Sequence, residues 1–332
     1  MTLSKRGLCA VLAAGSAVPM CGSWQDAIAA YPEQPVKIVV GFAAGSGSDI
    51  LTRLVGKEMA KDLGQAVIVE NRSGSGGSIA AREASRSKGD GYTLFLASRP
   101  NLIHRAVYGS FRYDMREDFR PIGLVARVPM VLLTGRHTEL KSVDELVRRA
   151  REDPGAIKCA TPAPGTTGHL LYQLFQMKSN VSLLQVPYRS PDPAFADLIG
   201  GRVDTLFMSL AVATPYLEAG SVRALAVFSP ERSAMAPDIP TVEELGLPSD
   251  LHVDSWQGLV APEGTPPEVI ERLNKSLNTV LSMPSLQEAL QLRGFAPPSL
   301  PNTAASFGQL MAQESERWGT LIEKWKIAAP LH

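Results

Sequence analysis

Short strand-like apolar runs alternate with helical stretches twice along this chain, and that alternation restricts its fold more than any other feature. Val36-Lys37-Ile38-Val39-Val40 reads as a strand ending in the loop Gly41-Phe42-Ala43-Ala44-Gly45-Ser46-Gly47-Ser48-Asp49. A helix follows with Leu51, Val55 and Met59 on one face and Gly64 as its stop. A strand over 66–70, a Gly/Ser loop, a helix to about Arg86 and a strand over 92–97 complete a β-α-β-α-β unit. Such an order predicts a largely parallel sheet with helices on both faces.

The pattern restarts after Pro121. Apolar residues 122–133 carry Pro129 in their middle, so they read as two extended pieces joined at a bend. Helices from Ser142, Thr167 and Pro193 alternate with strands over 157–160, 183–186, 205–209 and 222–228. A last strand, 256–261, precedes three helices. Thr265-Pro266-Pro267-Glu268 reads as a capping box, and the final helix spaces Phe307, Leu310, Glu314, Trp318, Leu321 and Trp325 along one stripe. Two α/β lobes with a C-terminal helical return imply a chain that crosses between lobes more than once. The expected partition is lobe 1 at 30–130 and 253–332 and lobe 2 at 131–252, hinged by crossing strands.

The N-terminus predicts export. Lys5 and Arg6 precede an apolar stretch over 7–18 and an A-x-A site at Ala27-Ile28-Ala29, the layout of a secretory signal peptide cleaved after Ala29. A membrane anchor needs about 20 apolar residues. Pro19-Met20 before Cys21 lacks the small residues of a lipid-attachment site. Removal of 1–29 takes Cys9 and Cys21, leaving Cys159 as the sole thiol, so no internal disulfide is expected. The 332 residues carry 33 basic and 33 acidic side chains, which excludes an acidic disordered chain and gives no support to nucleic-acid binding.

Catalytic signatures mostly fail. Gly45-x-Gly47 meets Ile50, and Gly74-x-Gly76 meets Ile79, where a dinucleotide fingerprint needs its third glycine. The P-loop, the nucleophile elbow and the H-E-x-x-H pattern do not occur. Ser85-x-x-Lys88 runs into the turn Gly89-Asp90-Gly91, and the histidines show no metal-ligand spacing. No metal or cofactor is expected. What remains is two helix N-termini preceded by small residues: Gly45-Ser46-Gly47-Ser48-Asp49, and Pro164-Gly165-Thr166-Thr167-Gly168-His169. Free N–H groups and the helix dipole suit an anion there. One such terminus per lobe, each after a strand, fits a small carboxylate held in a cleft between carboxyl edges.

These residues resemble the Bug-type periplasmic receptors of tripartite tricarboxylate transporters. The resemblance runs through Tyr31-Pro32-x-x-Pro35-Val36, Phe42-Ala43-Ala44-Gly45 and Gly64-Gln65-x-Val67-x-Val69-Glu70-Asn71-Arg72. It continues in Asp90-Gly91-Tyr92-Thr93-Leu94, His169-Leu170, Val186-Pro187-Tyr188, Asp197-Leu198-x-Gly200-Gly201 and Trp256-x-Gly258-Leu259. It implies a two-lobed α/β fold of the type II, flytrap-like periplasmic-binding-protein kind. It also implies capture of a small carboxylated solute for membrane transporter subunits or a sensor protein, by a periplasmic monomer. The family pocket uses the loop after the first strand and backbone groups of both lobes, with ordered water bridging a carboxylate.

The departures cluster around that pocket. Gly41 stands in place of a usual Pro, Ser46 in place of a Gly, and Thr161-Pro162-Ala163-Pro164 in place of a Ser/Gly-rich loop. Arg189-Ser190 replaces Lys-Gly after Tyr188, Met208 replaces a common Asp, and Ser98-Arg99-Pro100 precedes His104-Arg105 where Asn-Pro is usual. The expected ligand-binding set is therefore Phe42, Ala43, Ala44, Gly45, Ser46 and Asp49, with Ser98 and Arg99, in the first lobe. In the second it is Thr166, Thr167, His169, Tyr188 and Met208. Asp49 and His169 read as either caps or ligand-side groups. Arg99 reads as a loop residue, either solvated or gripping a carboxylate at two points, with Pro100 disfavouring helix at Arg99. Binding without catalysis is the leading function; the alternative is an exported enzyme acting on a small carboxylated substrate.

Overall fold

The computed structural model describes residues 31–109, 113–299 and 301–326. One structural unit begins at Pro32; the signal peptide expected at 1–29 lies outside the described residues.

The first sheet is begun by β1 (Val36–Val40), α1 (Gly47–Leu63), β2 (Val67–Asn71), α2 (Ser78–Ser85), β3 (Thr93–Ser98), α3 (Arg99–Tyr108) and β4 (Phe119–Val128). The chain then builds β5 (Met130–Gly135), α4 (Val143–Glu152), β6 (Lys158–Thr161), α5 (Thr167–Ser179), β7 (Leu184–Pro187), α6 (Pro191–Ile199), β8 (Thr205–Ser209), α7 (Leu210–Glu218) and β9 (Val222–Val227). It returns through β10 (Ser255–Pro262), α8 (Pro267–Leu281), α9 (Pro284–Gln291) and α10 (Ala304–Trp325).

The two five-stranded sheets have the orders β2-β1-β3-β10-β4 and β7-β6-β8-β5-β9. Both are mixed rather than simply parallel, and the reason lies in the crossings. Only Pro129 separates β4 from β5. β4 ends opposite Ser255, and β5 begins opposite Ser209 at the carboxyl end of β8. A strand arriving from the other sheet thus enters at the carboxyl edge and must run backward. β5 is accordingly antiparallel to β8 and β9, and β10 to β3 and β4. The carboxyl edges of the two sheets are thereby brought face to face. The outgoing and returning crossings are stitched together, with Phe228 N–H donating to Met130 O at 2.8 Å and Val253 N–H to Phe228 O at 2.9 Å.

Helix α10 serves both cores. Phe307 and Met311 pack with Phe95, Phe119 and Trp256 of the first sheet. Trp318 and Ile322 belong instead to a cluster containing Leu132, Leu171, Phe175 and Phe207, and Ile103 and Val107 of α3 enter the same cluster. Gly258 permits this seating, since a Cβ there would lie 2.1 Å from the Phe307 ring.

Three local expectations change. Arg99 is the first residue of α3, not a loop residue, and Pro100 occupies the first turn. A first turn tolerates proline because the N–H that proline lacks would have no helical acceptor there. The start is fixed by Asn101, whose Oδ1 accepts from the Ser98 N–H at 3.0 Å and the Ser98 hydroxyl at 2.7 Å. Thr265 does not cap α8: its hydroxyl donates to Pro262 O at 2.7 Å, and Pro266 is the N-cap. Between the strands over 205–209 and 222–228 the chain forms a helix, α7, rich in apolar residues and carrying Pro215.

Candidate functional site

Three helix N-termini meet at the start of β10. β1 and β3 run parallel with Val40 opposite Leu96, so the loop leading to α1 and the start of α3 leave the same edge. β10 enters beside them, with Gln257 opposite Ser98. Gln257 Nε2 donates to Ser48 Oγ in the first turn of α1 at 2.9 Å. Two residues earlier, Ser255 Oγ accepts from Thr167 Oγ1, the first residue of α5, at 3.4 Å. Thr167 Oγ1 in turn accepts from Arg99 Nη1, at the first residue of α3, at 3.2 Å.

At α1, Ser46 is the N-cap and its hydroxyl accepts from the Asp49 N–H. Asp49 is buried and its carboxylate is fully engaged. Oδ2 accepts from the Gly45 N–H at 2.9 Å; Oδ1 accepts from Arg53 Nε and Asn71 Nδ2, each at 2.9 Å. Burial pushes this carboxyl up, but the bonds from Arg53, Gly45 and Asn71 outweigh it and hold it below its ordinary value. Asn71 Nδ2 also donates to Phe42 O at 3.1 Å, and Ala43 O accepts from the Ser46 N–H. The loop is thus braced from behind, while Ala43, Ala44 and Gly45 stay exposed. Gly45 has φ +80°, and a Cβ on it would meet nothing within 4 Å.

At α5, Thr166 is the N-cap; its hydroxyl accepts from the His169 N–H and donates to Ala163 O at 2.7 Å. His169 is 4% exposed, and its Nδ1 has no hydrogen-bond partner. Burial pulls its pKa down to about 4, so the ring is neutral at pH 7.

At α3, Arg99 is 3% exposed and paired within the protein. Its Nε meets Glu314 Oε2 at 2.5 Å. Trp256 Nε1 and Trp318 Nε1 donate to the same oxygen at 3.1 and 3.2 Å. The guanidinium also lies over the Trp318 ring, 5.3 Å from its centre. Burial raises the Glu314 carboxyl, but Arg99 and the Trp256 indole bring it below its ordinary value.

Ser98, Arg99, Thr166, Thr167 and the 42–49 segment therefore come together through named contacts. Tyr188 sits apart from that chain of contacts: its N–H donates to Thr161 O, and its hydroxyl to Asp197 Oδ2 at 2.6 Å. Met208 is buried among Val131, Leu133 and Phe195 in the second sheet's core. Gln257, Ser255 and Glu314 escaped the sequence reading. Glu314 left a signal there, an acid on an otherwise apolar helical stripe. Gln257 left none beyond its strand, and its Oε1 is buried with no partner. Among the described residues no cluster of three or more His, Cys, Asp or Glu is placed to hold a metal. The Cys159 thiol is buried, which pushes its pKa up to about 12.

Known proteins share this architecture. A UPF0065 protein from the tcbD-tcbE intergenic region of Pseudomonas sp. strain P51 is 36% identical over 302 residues, covering 90% of this chain and 89% of the relative. Among solved structures, Rpa4515 of R. palustris with adipate superposes with a TM-score of 0.78 at 32% identity, covering 90% of this chain and 99% of that one. MatC (Rpa3494) from Rhodopseudomonas palustris with bound malate gives 0.75 at 30% identity, covering 88% and 100%. The model of the tripartite tricarboxylate transporter family receptor matches residues 51–327, nearly the whole span over which the two sheets and their crossings are built. The two-lobed α/β fold with its opposed carboxyl edges is the fold of those receptors, and this chain belongs to the tripartite tricarboxylate transporter receptor family.

Proposed function

We propose that this chain captures a small carboxylated solute where the N-termini of α1, α3 and α5 converge, and hands it to membrane transporter subunits or a sensor. The convergence itself carries the reading. The α1 and α5 termini offer backbone N–H groups and all three present the positive end of a helix dipole, so an anion is stabilised without a net basic surface. Braced from behind by Asp49 and Asn71, the exposed Ala43-Ala44-Gly45 loop leaves its backbone open to a ligand. The buried Nδ1 of His169 and Oε1 of Gln257 lack protein partners, which suits the bridging water or polar group such a solute brings. Two relatives bind dicarboxylates, adipate and malate.

The same reading covers the remaining assignments. Lobe 1 takes 30–130 and 253–332 and lobe 2 takes 131–252, a division supported by Pro129 between β4 and β5 and by the pairing of Val253 with Phe228. The receptor acts as a monomer in the periplasm after cleavage at Ala29 and returns its solute chemically unchanged. Titration calorimetry with adipate, malate and matching monocarboxylates tests the reading, alongside mass spectrometry of the recovered solute. Saturable binding of an acid recovered intact is the expected result. Turnover of the acid, or no affinity for any carboxylate, would overturn it.

A further inference from the structure

Arg99 is fixed on one side and reaches across to the other lobe. Its Nε is anchored on Glu314 Oε2, an oxygen that also holds two indole N–H groups and therefore has a crowded, well-defined position. Its Nη1 extends to Thr167, the first residue of the second lobe's site helix. With the side chain 3% exposed and its Nη1 already on Thr167, a solute carboxylate could take Arg99 in a two-point grip only by displacing the α5 first turn from it. The rest of α3 attends to the same segment of the second lobe. Tyr108 Oη donates to Pro164 O at 3.3 Å, and Val107 packs where a Cβ on Gly165 would lie, 3.1 Å away. Helix α3 thus carries the 164–167 turn along its length, with Arg99 at one end and Tyr108 at the other.

We propose that Arg99 is a positioning residue. Held by Glu314, it sets the first turn of α5 against the first lobe through Thr167 and so aligns the α5 N–H groups for the solute, without touching the solute itself. The inference rests on the carboxylate reading above for its effect on affinity, but not for its effect on α5.

Thr167→Val and Arg99→Lys separate the roles, because each keeps its residue's bulk and Lys keeps the charge for Glu314. Hydrogen exchange at His169 and Leu170 in the ligand-free protein reads the α5 first turn, and calorimetry with adipate and malate reads affinity. Faster exchange in both variants is expected, with roughly tenfold weaker binding, the scale of one charge-assisted hydrogen bond. The melting temperature of Thr167→Val should stay near the parent's. Parent-like exchange in both variants would overturn the inference. So would weaker binding by Arg99→Lys alone with exchange unchanged, which would mean direct contact with the solute. If the parent itself binds no carboxylate, the functional reading fails and the exchange rates alone decide the role of Arg99.

Discussion

Asp49 accepts the backbone N–H of Gly45 on Oδ2 at 2.9 Å, so the loop leaving β1 is closed by a side chain of the helix it leads into. That bond, with those from Arg53 and Asn71, makes Asp49 a brace for the exposed loop. Asp49→Ala should cost about 1.5–3 kcal/mol of stability, the scale of charged hydrogen bonds lost from a buried acceptor. The sign with pH follows from its lowered pKa. The contribution is complete above the unfolded value near 3.8 and disappears as pH falls through the lower folded value. Urea denaturation of parent and variant at pH 7 and pH 3 checks both parts; equal stability at pH 7 would remove the brace.

Gly45 separates binding from folding. With φ +80° it adopts a left-handed conformation that costs an L-residue about 1–2 kcal/mol, yet its Cβ direction is open space. Gly45→Val should therefore fold with a modest stability loss while its side chain stands before the loop and abolishes solute binding. Thermal denaturation and calorimetry on the same preparation decide it. Unchanged affinity would move the site away from this loop.

The buried histidines predict acid sensitivity. His169 and His104 each have a folded pKa of about 4 against an unfolded 6.5, because burial disfavours the charged ring. The unfolded chain thus binds more protons in that window, and stability is full above pH 6.5 and falls toward pH 4. Asp254, pushed up to about 6 by burial, opposes this, since its folded form holds its proton longer. Two histidines against one acid leave a net loss on acidification. His169→Gln should flatten the slope of melting temperature between pH 6.5 and 4.5. A slope identical to the parent's would mean that the ring stays accessible to protons in the native state.

Much of this architecture is legible from periodicity. β1, β8 and the Pro129 bend stand where short apolar runs and a lone proline place them, because strand patterning and a proline's lost N–H are local properties. Helix α3 was not legible: Ser98-Arg99-Pro100 looks like a loop until Asn101 is seen to close the turn onto Ser98. The antiparallel course of β5 and β10 was hidden as well, since direction depends on which sheet a strand has come from. At the site, the small-residue loops before α1 and α5 stood out, as local glycine and cap chemistry does. The connections between them did not. Arg99 meets Glu314 across 215 positions of sequence, and Gln257 meets Ser48 across 209, pairings that only the folded chain creates.

The Arg99–Glu314 pair yields the last prediction, in which stability and binding part company. Glu314→Gln removes the negative charge but leaves the guanidinium buried, so the variant should lose roughly 3–5 kcal/mol, the cost of breaking a buried pair from one side. The indoles of Trp256 and Trp318 lose their charged acceptor in the same step, so intrinsic fluorescence should shift even where the protein stays folded. Arg99→Met combined with Glu314→Gln removes both charges of the pair and keeps an amide oxygen for the two buried indole N–H groups, so it should recover much of that stability. It should not recover affinity, because Thr167 Oγ1 still lacks its donor from Arg99. Chemical denaturation and calorimetry across the single and double variants test the separation. A double variant that binds as tightly as the parent would reduce the pair to packing, whereas one that is stable yet binds weakly is the outcome this geometry requires.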